Sequence, residues 1–153
     1  MAGLSVGDKA PAFSLRDQNG KEVSLSDFKG RKLLLYFYPK ADTPGCTRQS
    51  VCVRDAAAEL AQAGTVVLDI SPDEPVKQKK FDEKHSLGFP LLSDPDHTVA
   101  QAYGVWGKKS MYGKTYEGII RSSFLIDADG RILQASYKVK PQDTVPNARK
   151  ALG

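Results

Sequence analysis

An unbroken apolar run, Leu33-Leu34-Leu35-Tyr36-Phe37-Tyr38, is followed by Pro39 and then by Thr43-Pro44-Gly45-Cys46. The run has the length of a strand and no polar face, the pattern of a strand buried on both sides. A chain carrying it must cover both faces of a sheet, and Pro39 ends the run. Thr43 stands where an N-cap hydroxyl belongs and Pro44 where the first helical residue belongs, so a helix is expected to open with Cys46 in its first turn. Unpaired N–H groups and the positive end of the helix dipole favour thiolate over thiol at that place. A buried structural cysteine is the plainer reading. The strand-to-helix turn, where α/β sheets place reactive groups, favours a nucleophile.

The rest of the chain supplies the cover. Pro11–Leu15 and Glu22–Leu25 alternate apolar with polar around Asp17-Gln18-Asn19-Gly20, whose Asn-Gly pair signals a hairpin. From Cys46 a helix is expected to run to Gly64, and Thr65–Ile70 is a second buried strand. Ser71-Pro72-Asp73 should start another helix through about His85, Phe89–Leu92 a short extended piece, and Asp94–Tyr103 a short helix ended by Gly104. Gly118–Ile126 and Arg131–Tyr137 flank Asp127-Ala128-Asp129-Gly130 as a second hairpin, and a last helix spans about Asp143–Leu152. Alternating β and α units imply parallel strands joined by right-handed crossovers. The expected fold is α/β and thioredoxin-like: a mixed central sheet flanked by helices on both faces, with an N-terminal β-hairpin. With 153 residues, 41% of them hydrophobic, the chain suits one domain over residues 1–153 with one sizeable core.

Composition excludes several classes of function. No apolar stretch reaches membrane-spanning length, and the start Met1–Asp8 lacks the basic-then-apolar form of a signal peptide, so a cytosolic location is expected. The net charge of +4 is spread along the chain, and its densest patch, Lys77-Gln78-Lys79-Lys80, is followed by Asp82-Glu83. That reads as a solvated helix face, not a nucleic-acid surface. The 2 cysteines are too few for a disulfide framework. With His85 and His97 they fit no usual zinc spacing. Gly113-Lys114-Thr115 ends like a phosphate loop, but the preceding Gly107 is one residue too far away, so a flexible Gly/Lys/Ser loop is expected there. Asp127 and Asp129 lie in a turn, where aspartates serve turn geometry.

The stretch Pro39-x-x-x-Thr43-x-x-Cys46 resembles the signature of the peroxiredoxins. Asp42–Thr47, Phe89–Asp94, Gly104–Gly107 and Ser123–Asp127 together resemble the bacterioferritin comigratory protein branch of that family, and the similarity covers nearly the whole chain. The resemblance implies a thiol peroxidase that reduces hydrogen peroxide and organic hydroperoxides, recycled by thioredoxin or a similar thiol reductant, acting as a monomer and needing no metal, haem, flavin or selenium. By the same resemblance Cys46 is the peroxidatic thiolate, oxidised to sulfenic acid by the peroxide. Thr43 offers its hydroxyl to thiolate and peroxide, Pro39 shapes and shields the pocket, and Arg121 holds the thiolate and the charge growing on the leaving oxygen. From the residues alone, Arg121 faces the same way as Ile119, Ser123 and Leu125, which suits a buried, paired arginine better than an edge-strand charge.

Cys52 departs from the family pattern. The branch's resolving cysteine on this helix stands five residues after the peroxidatic one, where this chain has Val51, and the alternative helix, residues 73–88, has no cysteine. Six helical residues separate Cα atoms by about 9 Å of rise, beyond the roughly 7 Å that a disulfide tolerates. The helix start must therefore unwind before Cys46 and Cys52 can join. Cys52 also falls in line with Ala56 and Leu60, the position of a buried core residue. Three readings stay open: resolution by Cys52, a one-cysteine peroxidase recycled by an external thiol, and a non-enzymatic peroxide-sensing switch in which oxidation unwinds the helix. A disulfide reductase is weaker, because its Cys-x-x-Cys spacing is absent.

Overall fold

A computed structural model of the chain describes residues 3–41 and 43–152. The apolar run becomes β3 (Lys32–Phe37), and its neighbours supply what it needs on each side. Strands β1 (Ser14–Arg16) and β2 (Glu22–Ser24) form the N-terminal hairpin, β4 spans Thr65–Ser71, β5 Leu91–Ser93, β8 Ser122–Ile126 and β9 Ile132–Ser136. They make one sheet in the order β2-β1-β5-β4-β3-β8-β9. β3 pairs in parallel with β4, and β4 with β5, whereas β8 and β9 join antiparallel. The expected mixed sheet is present, and β3 lies inside it with a partner on each side.

Alternation along β3 builds two cores. Leu33, Leu35 and Phe37 point to one face, with Phe13, Leu68, Ile70, Tyr103 and Phe124. Leu34, Tyr36 and Tyr38 point to the other, with Cys46, Val53, Leu60, Phe81, Leu125 and Val145. This second face is covered by α1 (Pro44–Gln62), α2 (Pro75–His85) and α4 (Thr144–Leu152), and the first by α3 (Thr98–Ala102). Leu34, Leu35, Tyr36, Phe37 and Tyr38 are all 0% exposed. Burial of each such side chain is worth about 1.5–3 kcal/mol, which explains a run without a single polar interruption. The hairpin turn at Asp17–Gly20 is held by the Asp17 carboxylate, which accepts from the Asn19 and Lys21 amides, while Gly20 takes φ +80°.

Several expected boundaries move. No helix starts at Ser71, because β4 runs through it to pair with Ser93, and the Asp73 amide then donates to the Ser71 hydroxyl to turn the chain before Pro75. The helix expected from Asp94 begins only at Thr98: His97 is left-handed, and the Asp94 carboxylate accepts from the amides of Val99 and Ala100 at the opening turn. Residues expected as a flexible loop form instead a second, two-stranded sheet of β6 (Trp106–Met111) and β7 (Lys114–Ile119). Tyr112 and Gly113 join them with φ of +53° and +77°, the geometry of a tight hairpin turn. Gly118–Ile126 is accordingly not one strand. It leaves β7 at Ile119, crosses at Ile120-Arg121, and enters the large sheet as β8. Asp127 behaves as expected of a turn residue, accepting from the Asp129 and Arg131 amides. Among the described residues no helix is long and apolar enough to cross a membrane.

Candidate active site

Cys46 sits in the first turn of α1, at the carboxyl end of β3, and is 1% exposed. Thr43 is the N-cap residue with extended backbone and Pro44 follows it, as the spacing predicts. The Thr43 hydroxyl does not cap the helix; it donates to the Lys40 carbonyl at 2.8 Å and closes the loop that begins at the half-buried Pro39. Its carbonyl accepts from the Thr47 amide at 2.8 Å and starts the helical ladder. Asp42 lies outside the described residues.

Arg121 comes to this thiol from the crossing between the two sheets. Nη2 donates to Cys46 Sγ at 3.4 Å, and Nη1 donates to Gln49 Oε1 at 2.7 Å. A fixed positive charge at that distance stabilises negative charge on sulfur and on any oxygen departing beside it. Arg121 is half-buried rather than buried, its guanidinium is paired with Gln49, and the crossing rather than a continuous strand aims it. Its carbonyl accepts from the Val139 amide at 2.8 Å, which fixes the backbone that carries it.

Three contributors escaped the sequence. Gln49, 0% exposed, passes the Arg121 contact on by donating Nε2 to Thr144 Oγ1 at 2.9 Å, so α4 also orients the guanidinium. Nothing local in the sequence marks this, since 95 residues separate the pair. Gly45 lets Arg121 approach: a Cβ there would lie 2.9 Å from Nη2. Lys109, on β6, donates Nζ to the Ile119 carbonyl at 2.8 Å. Burial, with the Arg121 charge beside it, lowers its pKa, while the field of Cys46 works the other way.

Cys52 lies apart from Cys46, and both thiols are free. It is half-buried, in a groove of about 280 Å³ between α1 and α4 lined also by Asp55, Ala56, Gln142, Val145, Pro146 and Arg149. Cys52 is therefore not the buried core residue that alignment with Leu60 suggests. Leu60 is 0% exposed in the core, whereas the thiol reaches the groove. His85 packs edge-on against Phe81, and His97 stacks on Trp106 at 3.8 Å. A cavity of about 430 Å³ is walled by Phe13, Phe28, Leu33 and Ile126 at the opposite end of β3 from Cys46.

A buried thiol at a helix start with an arginine on its sulfur, on a thioredoxin-like sheet, is arranged for nucleophilic thiol chemistry. The model of the AhpC/TSA family matches residues 6–135. Peroxiredoxin Bcp of Escherichia coli is 59% identical over 129 residues, covering 84% of this chain and 83% of that one. Among solved structures, a cysteine-to-serine mutant of PrxQ from Xylella fastidiosa is similar with TM-score 0.90 at 32% identity, covering 99% of this chain and 98% of that one. The Xanthomonas campestris bacterioferritin comigratory protein, described for its alkyl peroxide reduction activity with trapped intermediate and ligand complexes, has TM-score 0.86 at 35% identity over 92% and 89% of the two chains. The chain belongs to the AhpC/TSA family, in its peroxiredoxin Bcp branch.

Proposed function

We propose that this protein reduces hydrogen peroxide and small organic hydroperoxides through Cys46. The observation that carries this is the Arg121 Nη2 contact to Cys46 Sγ at 3.4 Å, held in place by Gln49. In the first step the thiolate attacks the distal oxygen of ROOH; the S–O bond forms as the O–O bond breaks, and RO⁻ leaves to take a proton as ROH or water. Arg121 stabilises the charge as it moves from sulfur to the departing oxygen. A second thiol then attacks the sulfenic sulfur, water departs, and a disulfide remains for a reductant to open. A thioredoxin-like dithiol protein, in the cytosol and with the enzyme as a monomer, suits the family relationship. Peroxide consumption coupled to oxidation of thioredoxin is expected, and it should vanish in Cys46→Ser. Retained turnover in that variant overturns the reading.

The second thiol has two candidates. Cys52 is one; an external thiol is the other, favoured by the placement of Cys52 in the α1–α4 groove away from Cys46. Mass spectrometry after one equivalent of peroxide separates them. Loss of two hydrogens marks a Cys46–Cys52 disulfide, whereas a lasting gain of one oxygen, converted to a mixed disulfide by added thiol, marks the one-cysteine route.

A further inference from the structure

Behind Cys46, on the face of the sheet that α1 and α2 cover, Tyr36, Tyr38, Ser50, Asp69, Ser71 and Gln78 are all 0% exposed. Burying so much polarity costs free energy unless its members satisfy one another. At its centre is Asp69 of β4, whose Oδ2 accepts from the Tyr36 hydroxyl at 3.3 Å, while that hydroxyl lies 2.9 Å from Ser50 Oγ in α1. Oδ1 has no partner among the described residues. Tyr38, the other hydroxyl against this carboxyl, donates to Gln78 Oε1. Gln78 Nε2 donates to Ser71 Oγ at 3.0 Å, and Ser71 donates to Asp73 Oδ2 at 2.9 Å. Asp73 Oδ2 also accepts from the Ala41 amide at 2.6 Å. One end of the network thus grips the loop before Cys46 and the other grips the helix one turn after it.

Oxidation of Cys46 turns this grip into an obstacle. A bond between Cys46 and Cys52 requires residues 46–52 to leave the helix, because their rise of about 9 Å exceeds disulfide reach. An external thiol must also meet a sulfur that is 1% exposed, so the helix start must open for it too. On either route Ser50 comes off Tyr36. We propose that Asp69 is a positioning residue: through Tyr36 and Ser50 it clamps the start of α1 to the sheet and sets how long the Cys46 sulfenic acid lives before a thiol reaches it. This rests on the peroxidase reading, but the clamp exists in the reduced protein and is measurable without peroxide.

The test compares Ser50→Ala, Asp69→Val and Asp69→Asn by amide hydrogen exchange of residues 44–52 in the reduced protein. A second measurement tracks the decay of sulfenic acid after one equivalent of hydrogen peroxide in the presence of a fixed concentration of added thiol, trapped with dimedone and weighed. Loss of a hydrogen bond of ordinary net strength predicts about two- to tenfold faster exchange and a sulfenic lifetime shorter by the same factor in Ser50→Ala and Asp69→Val. Asp69→Asn keeps an oxygen for the Tyr36 hydroxyl and should stay within about twofold of the wild type. Unchanged exchange in Ser50→Ala overturns the clamp, as does an asparagine variant that behaves like the valine one. Should Asp69→Val fail to fold, Ser50→Ala decides alone. Should one equivalent of peroxide leave Cys46 neither trapped as sulfenic acid nor joined in a disulfide, the peroxidase reading fails, and hydrogen exchange still settles the clamp.

Discussion

Arg121 is held by contacts that make its replacement informative. Nη2 meets the sulfur, Nη1 meets Gln49, and Gly45 leaves the space between them open. Arg121→Met should slow oxidation of Cys46 by about 10²–10³-fold, the usual cost of removing one donor from a site of developing negative charge. Stopped-flow measurement of the peroxide step at varied peroxide checks this, and a loss below about threefold would remove Arg121 from the mechanism. Gly45→Ala reaches the same step without touching a charged group. Its new methyl would meet Nη2 at 2.9 Å and displace the guanidinium, so the rate should fall towards that of Arg121→Met while helix content measured by circular dichroism stays constant. Lysine is a poor substitute at 121, because a single ammonium cannot serve sulfur and Gln49 with the fixed geometry of the fork.

At the scale of elements, the proposed clamp asks α1 to stay anchored at one end while it releases at the other. Its far end is fixed by Leu60 and its middle by Val53, both 0% exposed. Leu60→Ala should cost about 2–5 kcal/mol of stability, read as a lower urea midpoint with an unchanged slope. The elements that packing dictates were legible in the sequence: β3 from its unbroken apolar run, α1 from Thr43-Pro44, and the first hairpin from Asn19-Gly20. The β6–β7 hairpin was not. Its residues 112–117 are all exposed, so no alternation of buried and solvated positions marks that arm. The same blindness applies to the site. Cys46 announces itself through local chain geometry, whereas the link from Arg121 through Gln49 to Thr144 exists only once three separate elements have packed.

For the molecule as a whole, a buried acid ties stability to pH. Burial pushes the Asp69 carboxyl well above the ordinary range; the nearby Tyr38 and Tyr36 hydroxyls and the Leu92 amide work against the rise, and the charge of Asp73 adds to it. The folded chain therefore binds this proton more tightly than the unfolded chain does. Its stabilising contribution is complete below the unfolded value of about pH 3.9 and is lost as pH rises through the raised folded value. Asp69→Asn removes the linkage. The variant's unfolding free energy minus that of the wild type should be flat below about pH 4 and climb with pH above it, in urea titrations at a series of pH values. A difference that stays level across the range would place the carboxyl's proton outside the linkage.

The strand order has a consequence for the chain as it is made. β3 carries Cys46 to its place early in the chain, yet β3 is completed on one side by β8, through pairs such as Leu33 with Ile126, and Arg121 arrives just ahead of β8. Thr144, which steadies Gln49, belongs to the last helix. A nascent chain thus has its cysteine long before it has the arginine, and the thiol gains its activating charge only after residue 121 has been made and packed. Partly made copies hold a cysteine without that neighbour, so the order of the chain makes the full site wait for residues that follow it by dozens.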